Sequence, residues 1–183
     1  MSTLYVDNLQ PNLGSRVMAA GHVVQVVHAS SQNNAASSGG AYNALEALSV
    51  SITPTSATSK FLVFYQVTVV GAVDIPYASW VTRNGTVVGV ESTSNNTYAS
   101  ISTSAGSASE YSDGDAPDTV TGQMLDTPNT TDELTYRVYV GTRRDATKPF
   151  RLGYSLQYSQ TGPDQSGWQL SATHKITVME IAQ

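Results

Sequence analysis

The stretch from Leu48 to Val70, LSVSITPTSATSKFLVFYQVTVV, limits this chain to very few folds. Leu48, Val50 and Ile52 alternate with serines up to Pro54, which predicts a strand with one apolar face. Residues 54–60 form a polar connection with no helical period. Phe61 to Val70 then predicts a second strand. Its odd positions, Phe61, Val63, Tyr65, Val67 and Val69, are wholly apolar, and Leu62, Phe64 and Val70 make the even face largely apolar as well. Such a run, rich in β-branched and aromatic residues, predicts a central strand covered on both sides.

The remaining segments point the same way. Val17–Ala29 reads as a strand bulged at Gly21, followed by a polar loop from Ser30 to Tyr42. Asn43–Leu48 has the spacing of one short helical turn. Pro76 ends the core strand region, and Trp80–Val90 holds Asn84-Gly85 between extended runs, the favoured pair for a type I′ hairpin. Glu91–Ala116 is Ser-rich and long for a loop, and predicts an exposed excursion with a short strand around Tyr98–Ile101. Asp126–Thr130 reads as a turn. Leu134, Tyr136, Val138 and Val140 alternate with Thr135, Arg137 and Tyr139; Leu152, Tyr154, Leu156 and Tyr158 alternate likewise. In the last segment, Ile176 and Val178 oppose Thr177, Met179 and Ile181. The expected fold is all-β: an antiparallel β-sandwich, jelly-roll-like, of about eight strands.

Composition narrows the chemistry. With 183 residues the chain suits a single core. Only 13% of residues are charged, about half the usual quarter. A net charge of -5 speaks against nucleic acid, because binding to phosphates needs a basic stripe. No cysteine is present, which excludes disulfides and thiolate metal sites. The first residues lack the pattern of a signal peptide, and no apolar run has the length of a membrane helix. A soluble chain made in a cytoplasm is expected. Residues 1–16 stand apart from the sandwich of residues 17–183. Leu4, Val6 and Leu9 are too few to bury themselves, so the segment is either an arm that docks onto another chain or another protein, or a first edge strand or frayed terminus.

Several blocks resemble the virion structural and tail-fibre-like proteins of marine tailed phages, of cyanophage type. The opening STLYVDNLQPNLGS and the strand Gly21–Val27 are similar to their N-terminal segment. Ser51–Val63, SITPTSATSKFLV, resembles their strand-turn-strand, and Asp126-Thr127-Pro128 leading into Leu134–Val138 resembles the next shared block. ITVMEIAQ, Ile176–Gln183, resembles their terminus. Glu91–Gln123 lies outside the likeness. The resemblance implies a small β-sandwich, usually trimeric, serving as a fibre, knob or decoration component of a virion.

Asp113, Asp115 and Asp118 offer oxygens for calcium but lack the closing glutamate of a calcium loop, so a solvated acidic loop is expected. His22, His28 and His174 read as ordinary strand histidines, and no metal or other cofactor is expected. Glu91 and Glu110 would be the carboxylates of a glycosidase, yet nothing places them together. No Gly-x-Ser-x-Gly elbow occurs, and no enzyme is expected. Tyr77, Trp80, Tyr98 and Tyr111 form a candidate sugar platform, with Tyr98 and Tyr111 the residues expected at a receptor.

The expectation is a non-enzymatic virion protein: a homotrimeric tail-fibre or adhesin component docked on other virion proteins through Leu4, Val6 and Leu9. A host surface glycan is a further partner; nucleic acid and membrane insertion are not expected. A capsid decoration protein is the alternative, and a monomeric carbohydrate-binding module the second.

Overall fold

A computed structural model describes residues 20–37, 44–71, 76–90, 101–105, 116–142, 150–153 and 172–183. Within them lie ten strands: β1 (Val23–Ser31), β2 (Ala44–Ile52), β3 (Lys60–Gly71), β4 (Pro76–Arg83), β5 (Thr86–Val88), β6 (Ser102–Ala105), β7 (Ala116–Asp126), β8 (Leu134–Thr142), β9 (Phe150–Leu152) and β10 (His174–Ile181). Every strand pairing is antiparallel.

The pairings are nested. β1 pairs β10, β2 pairs β8, β3 pairs β7, and β4 pairs β5 and β6. The chain is thus one long hairpin whose tip lies beyond β4. Rolling that hairpin brings β10 against β3 and β8 against β4. Two sheets result: sheet A in the order β1-β10-β3-β7, and sheet B in the order β2-β8-β4-β5. β5 meets β4 at Val81–Arg83 and β6 meets it at Pro76–Ser79, on the edge not taken by β8. β9 continues the β3 edge that β10 leaves. Ten segments therefore fill eight strand positions, in the order of a jelly roll.

Alternation explains which side of each strand is buried. The odd positions of β3 face inward, with Phe61, Val63, Val67 and Val69 fully buried. They meet Tyr136, Val138 and Val140 of β8 and Ile176 and Val178 of β10 in one cluster. Each such side chain contributes roughly 1.5–3 kcal/mol of burial. Gly122 of β7 lies opposite Tyr65, and a side chain there would overlap the phenol ring. That phenol reaches across the sandwich to Ser79 Oγ at 2.6 Å. The β4–β5 turn carries Asn84 at φ 48° and Gly85 at φ 85°, as a type I′ turn demands.

Three expectations are corrected. Asn43–Leu48 is not a helical turn: β2 starts at Ala44, and a bulge between Glu46 and Leu48 inserts Ala47. The extra residue lets Leu45 and Leu48 both face the core despite their spacing of three, the very spacing that resembles a helix. Gly21, at φ 86°, belongs to a turn before β1, and the bulge lies instead between Val23 and Gln25. The excursion carries a strand at Ser102–Ala105, next to the expected segment Tyr98–Ile101, of which residues 98–100 lie outside the described residues. The outer face of β3 is only partly covered: Val70 is buried, Leu62 and Phe64 are half-buried, and Gln66 is exposed.

Candidate functional site

Each sheet presents an outer face, and the two differ in chemistry. On sheet A the strand register aligns Val26 of β1, Met179 of β10, Leu62 of β3 and Leu125 of β7 in one row across four strands. Val26 and Leu125 are 53% and 54% exposed. Val23 beside Ile181 extends the row on one side, and Phe64 borders it on the other. The charged residues of this face are Lys60, Arg151 and Lys175; among the described residues it carries no carboxylate. In a chain of net charge -5 that is an asymmetric placement.

On sheet B the corresponding row is Glu46 of β2, Tyr139 of β8 and Trp80 of β4. The two rings lie nearly parallel, 11° apart, with centroids 5.9 Å from each other, an offset stack. Glu46 Oε2 accepts from Arg137 Nη1 at 3.0 Å and from the Tyr139 hydroxyl at 3.3 Å. The Glu46 carboxylate holds the Arg137 guanidinium, already cationic, above its usual range. Next to this row lie Ala44, Gly141 and Ala78, which add almost no side-chain height. Beside Glu46, where the edges of β1 and β2 meet, a cleft of about 360 Å³ is lined by Ser30, Ser31, Asn33, Glu46 and Ser49, among others.

Three buried ionisable groups serve the fold. Asp126 accepts from Arg83 Nη1 at 2.6 Å and from the Tyr136 hydroxyl at 2.7 Å, which ties the sheets at one end. Burial and that carboxylate push the Tyr136 phenol far up, so it stays a neutral donor. Glu180 accepts from Thr55 N at 2.8 Å, Thr55 Oγ1 at 2.7 Å and Gln25 Nε2 at 2.6 Å. Burial pushes its pKa up, but Ser59, Thr55 and Gln25 together outweigh this and hold it below the usual value. His174 is buried with Nδ1 facing the Thr68 N–H at 3.3 Å. The ring proton is then on Nε2, which donates to the Asn33 carbonyl at 3.1 Å. Burial lowers its pKa, against the opposing pull of that carbonyl.

The structure redistributes the expected site residues. Tyr77 is not on a sugar platform: it is 1% exposed and packs on Phe150 at 5.9 Å. Burial and the Asp118 carboxylate push its phenol up to about 12. Trp80 does face outward, but its ring partner is Tyr139. His28 sits on the outer face of sheet A, bonded to Thr177 Oγ1, while His174 points inside, so these two do not converge. Asp118 accepts from the Thr119 N–H. Leu4, Val6, Leu9, Tyr98, Tyr111, Glu91, Glu110, Asp113 and Asp115 lie outside the described residues. Sequence reading passed over Glu46, Arg137 and Tyr139. The outward parity of Arg137 and Tyr139 was visible in the β8 alternation, whereas Glu46 lay in the stretch that looks helical.

No protein family and no curated protein sequence matches the chain. Among solved structures, it is similar to a chain of infectious bursal disease virus, Gx strain, with TM-score 0.39 and 10% identity over 98% of this chain and 47% of that one. The VP2 subviral particle of infectious bursal disease virus gives TM-score 0.31 and 8% identity, over 98% and 46%. The chain spans less than half the length of either. The jelly-roll assignment rests on the strand order alone.

Proposed function

We propose that this chain is a non-enzymatic virion structural protein, a homotrimeric tail-fibre or adhesin component that docks on the particle through residues 1–16. The observation that carries the reading is the outer face of sheet A. A row of apolar side chains crosses four strands, two of them more than half exposed, and among the described residues the charges on that face are cationic. A contiguous apolar row on a sheet face marks a surface that binds protein. A second copy of the chain fits it best. A three-fold ring joins two different patches of each subunit, so the cationic face of one copy meets an acidic patch of the next. A net charge of -5 supplies such patches; Asp132 and Glu133, exposed between β7 and β8, are one.

Two further lines support the virion role. Two of the sequence blocks that resemble phage virion proteins fall on the frame of this sandwich: SITPTSATSKFLV covers the β2–β3 connection, and ITVMEIAQ holds most of β10 and the two residues after it. Jelly rolls also build viral capsids and lectins, though a fold alone is only an analogy for function.

The test is the solution mass by light scattering, followed by immunogold labelling of intact particles. A mass three times the 19.4 kDa of the chain, with gold at the tail, is the expected result. Gold over the shell would move the protein to a capsid decoration role. A monomer that labels no particle would sink the proposal.

A further inference from the structure

We infer that the outer face of sheet B, with the adjoining cleft between β1 and β2, is a binding site for a neutral glycan. The inference deepens the attachment role proposed above, but it stands on different residues and on the opposite sheet.

Three features combine at one place. The first is the Tyr139–Trp80 pair, half-buried and nearly parallel, on the outside of the sheet. Aromatic rings on a solvent face present flat apolar surface with little entropy to lose on binding. The C–H face of a pyranose ring needs that kind of surface. The second is the Glu46–Arg137 pair. Vicinal sugar hydroxyls both donate and accept, so a carboxylate and a guanidinium side by side satisfy two of them at once. The bonds from Arg137 and from the Tyr139 hydroxyl both fall on Glu46 Oε2, and among the described residues Oε1 accepts none. Arg137 uses Nη1 alone for Glu46, and its side chain is 44% exposed. The third is the cleft of about 360 Å³, a size within the range of small-ligand pockets. Its lining includes Ser30, Ser31, Ser49, Asn33 and Glu46 itself, with Asn33 Nδ2 donating to the Glu46 carbonyl.

Glu46 belongs to both the cleft and the aromatic row, so the two form one continuous track. A bound chain would start in the cleft, pass Glu46, and cross Tyr139 to Trp80. The row of Ala44, Gly141 and Ala78 places only small residues along the flank of that track. A peptide is disfavoured, since the cleft is lined mainly by polar residues, with Ala29, Ala47 and Leu48 its apolar part. An acidic polymer is disfavoured by a cation already neutralised by Glu46.

The test uses the full chain on a microarray of bacterial surface polysaccharides, with calorimetry on each one retained. Retention of at least one neutral polysaccharide is expected. Trp80→Ala should weaken it on the order of tenfold, the loss of one stacking contact. Glu46→Gln, a near-isosteric change, should weaken it by a similar factor, and it decides the matter should Trp80→Ala fail to fold. Retention of no polysaccharide would overturn the inference, as would binding that survives both substitutions in folded protein. Retention only of acidic polysaccharides would overturn the neutral class. Mass and gold labelling are read separately, so a monomer that binds glycan would refute the trimer and leave this site standing.

Discussion

The outer faces of the two sheets share a scaffold but not a chemistry. Sheet A shows solvent a row of Val26, Met179, Leu62 and Leu125 among cations. Sheet B shows Glu46, Tyr139 and Trp80, with an ion pair and small residues around them. Inside, both sheets are alike, since both feed one cluster of Val, Ile, Leu and aromatic residues. The core fixes only every second residue of each strand. The other residues are free of the packing constraint, so function is written there. An exposed aliphatic row is matched by another protein surface. An aromatic pair beside a charged pair is matched by a ligand with both apolar and hydroxyl faces.

The most severe way to break the comparison is to separate the sheets that carry the faces. Asp126→Ala removes the carboxylate that joins Arg83 and Tyr136 of sheet B to β7 of sheet A. It leaves a part-buried guanidinium and a buried phenol without their acceptor, at a cost of about 3–5 kcal/mol. Urea unfolding should show that loss, and trimer and glycan binding should disappear together. Loss of one without the other would mean the faces do not depend on the same sandwich.

Acid should act on the same dependence by titration. His174 has a lowered pKa in the folded chain, so the unfolded chain takes up its proton first. Stability is then constant above the ordinary value of 6.5 and falls as pH drops below it, down to the folded pKa. Glu180 also has a lowered folded pKa, and its contribution is present above 4.5 and lost as pH falls through the folded value. Melting temperature against pH should therefore decline in two stages. His174→Gln, which does not titrate, should abolish the first stage and leave the second. An unchanged first stage would assign it to another group.

Much of this scaffold was legible beforehand, and the residues show why. β8 could be read from the clean alternation of Leu134 to Val140, β3 from its long run of β-branched and aromatic residues, and β10 from Ile176 and Val178 two residues apart. Asn84-Gly85 could be read because two left-handed residues in succession have few sequence solutions. The start of β2 could not, since Ala47 breaks the parity by one residue. The apolar row of sheet A was half visible: Leu62 and Phe64, with Val70, form a second apolar face of the core strand, and Met179 lies opposite Ile176 and Val178. Their cover was misjudged because exposure depends on what lies over a sheet, and no strand pattern records that. Glu46 meets Tyr139 across 93 residues of chain, a contact that only the nested pairing creates.

Leu125 adjoins Asp126 and points the opposite way, which makes it the sharper probe of sheet A. Leu125→Lys keeps the strand, adds charge to a side chain already 54% exposed, and should change stability by no more than about 0.5 kcal/mol. Light scattering should nevertheless report a monomer, because the lysine would face the neighbouring copy. Glycan retention by each subunit should be unaffected. A trimer of unchanged mass would place the subunit interface elsewhere.

The smallest effect on the fold should come from Arg137→Gln on sheet B. The Arg137–Glu46 pair is solvent-exposed on both sides, with side chains 44% and 35% accessible, and exposed pairs add little to stability. The melting temperature should stay within measurement error, and the trimer should persist. Glycan affinity should still drop, because glutamine supplies one donor direction where the guanidinium supplies a fork. That split separates the two uses a surface ion pair can have. If the pair served the sandwich, stability and affinity would fall together; if it serves the ligand, affinity falls alone. Lowered stability with unchanged binding would return Glu46 and Arg137 to the scaffold and leave the aromatic pair as the whole of the sheet B site.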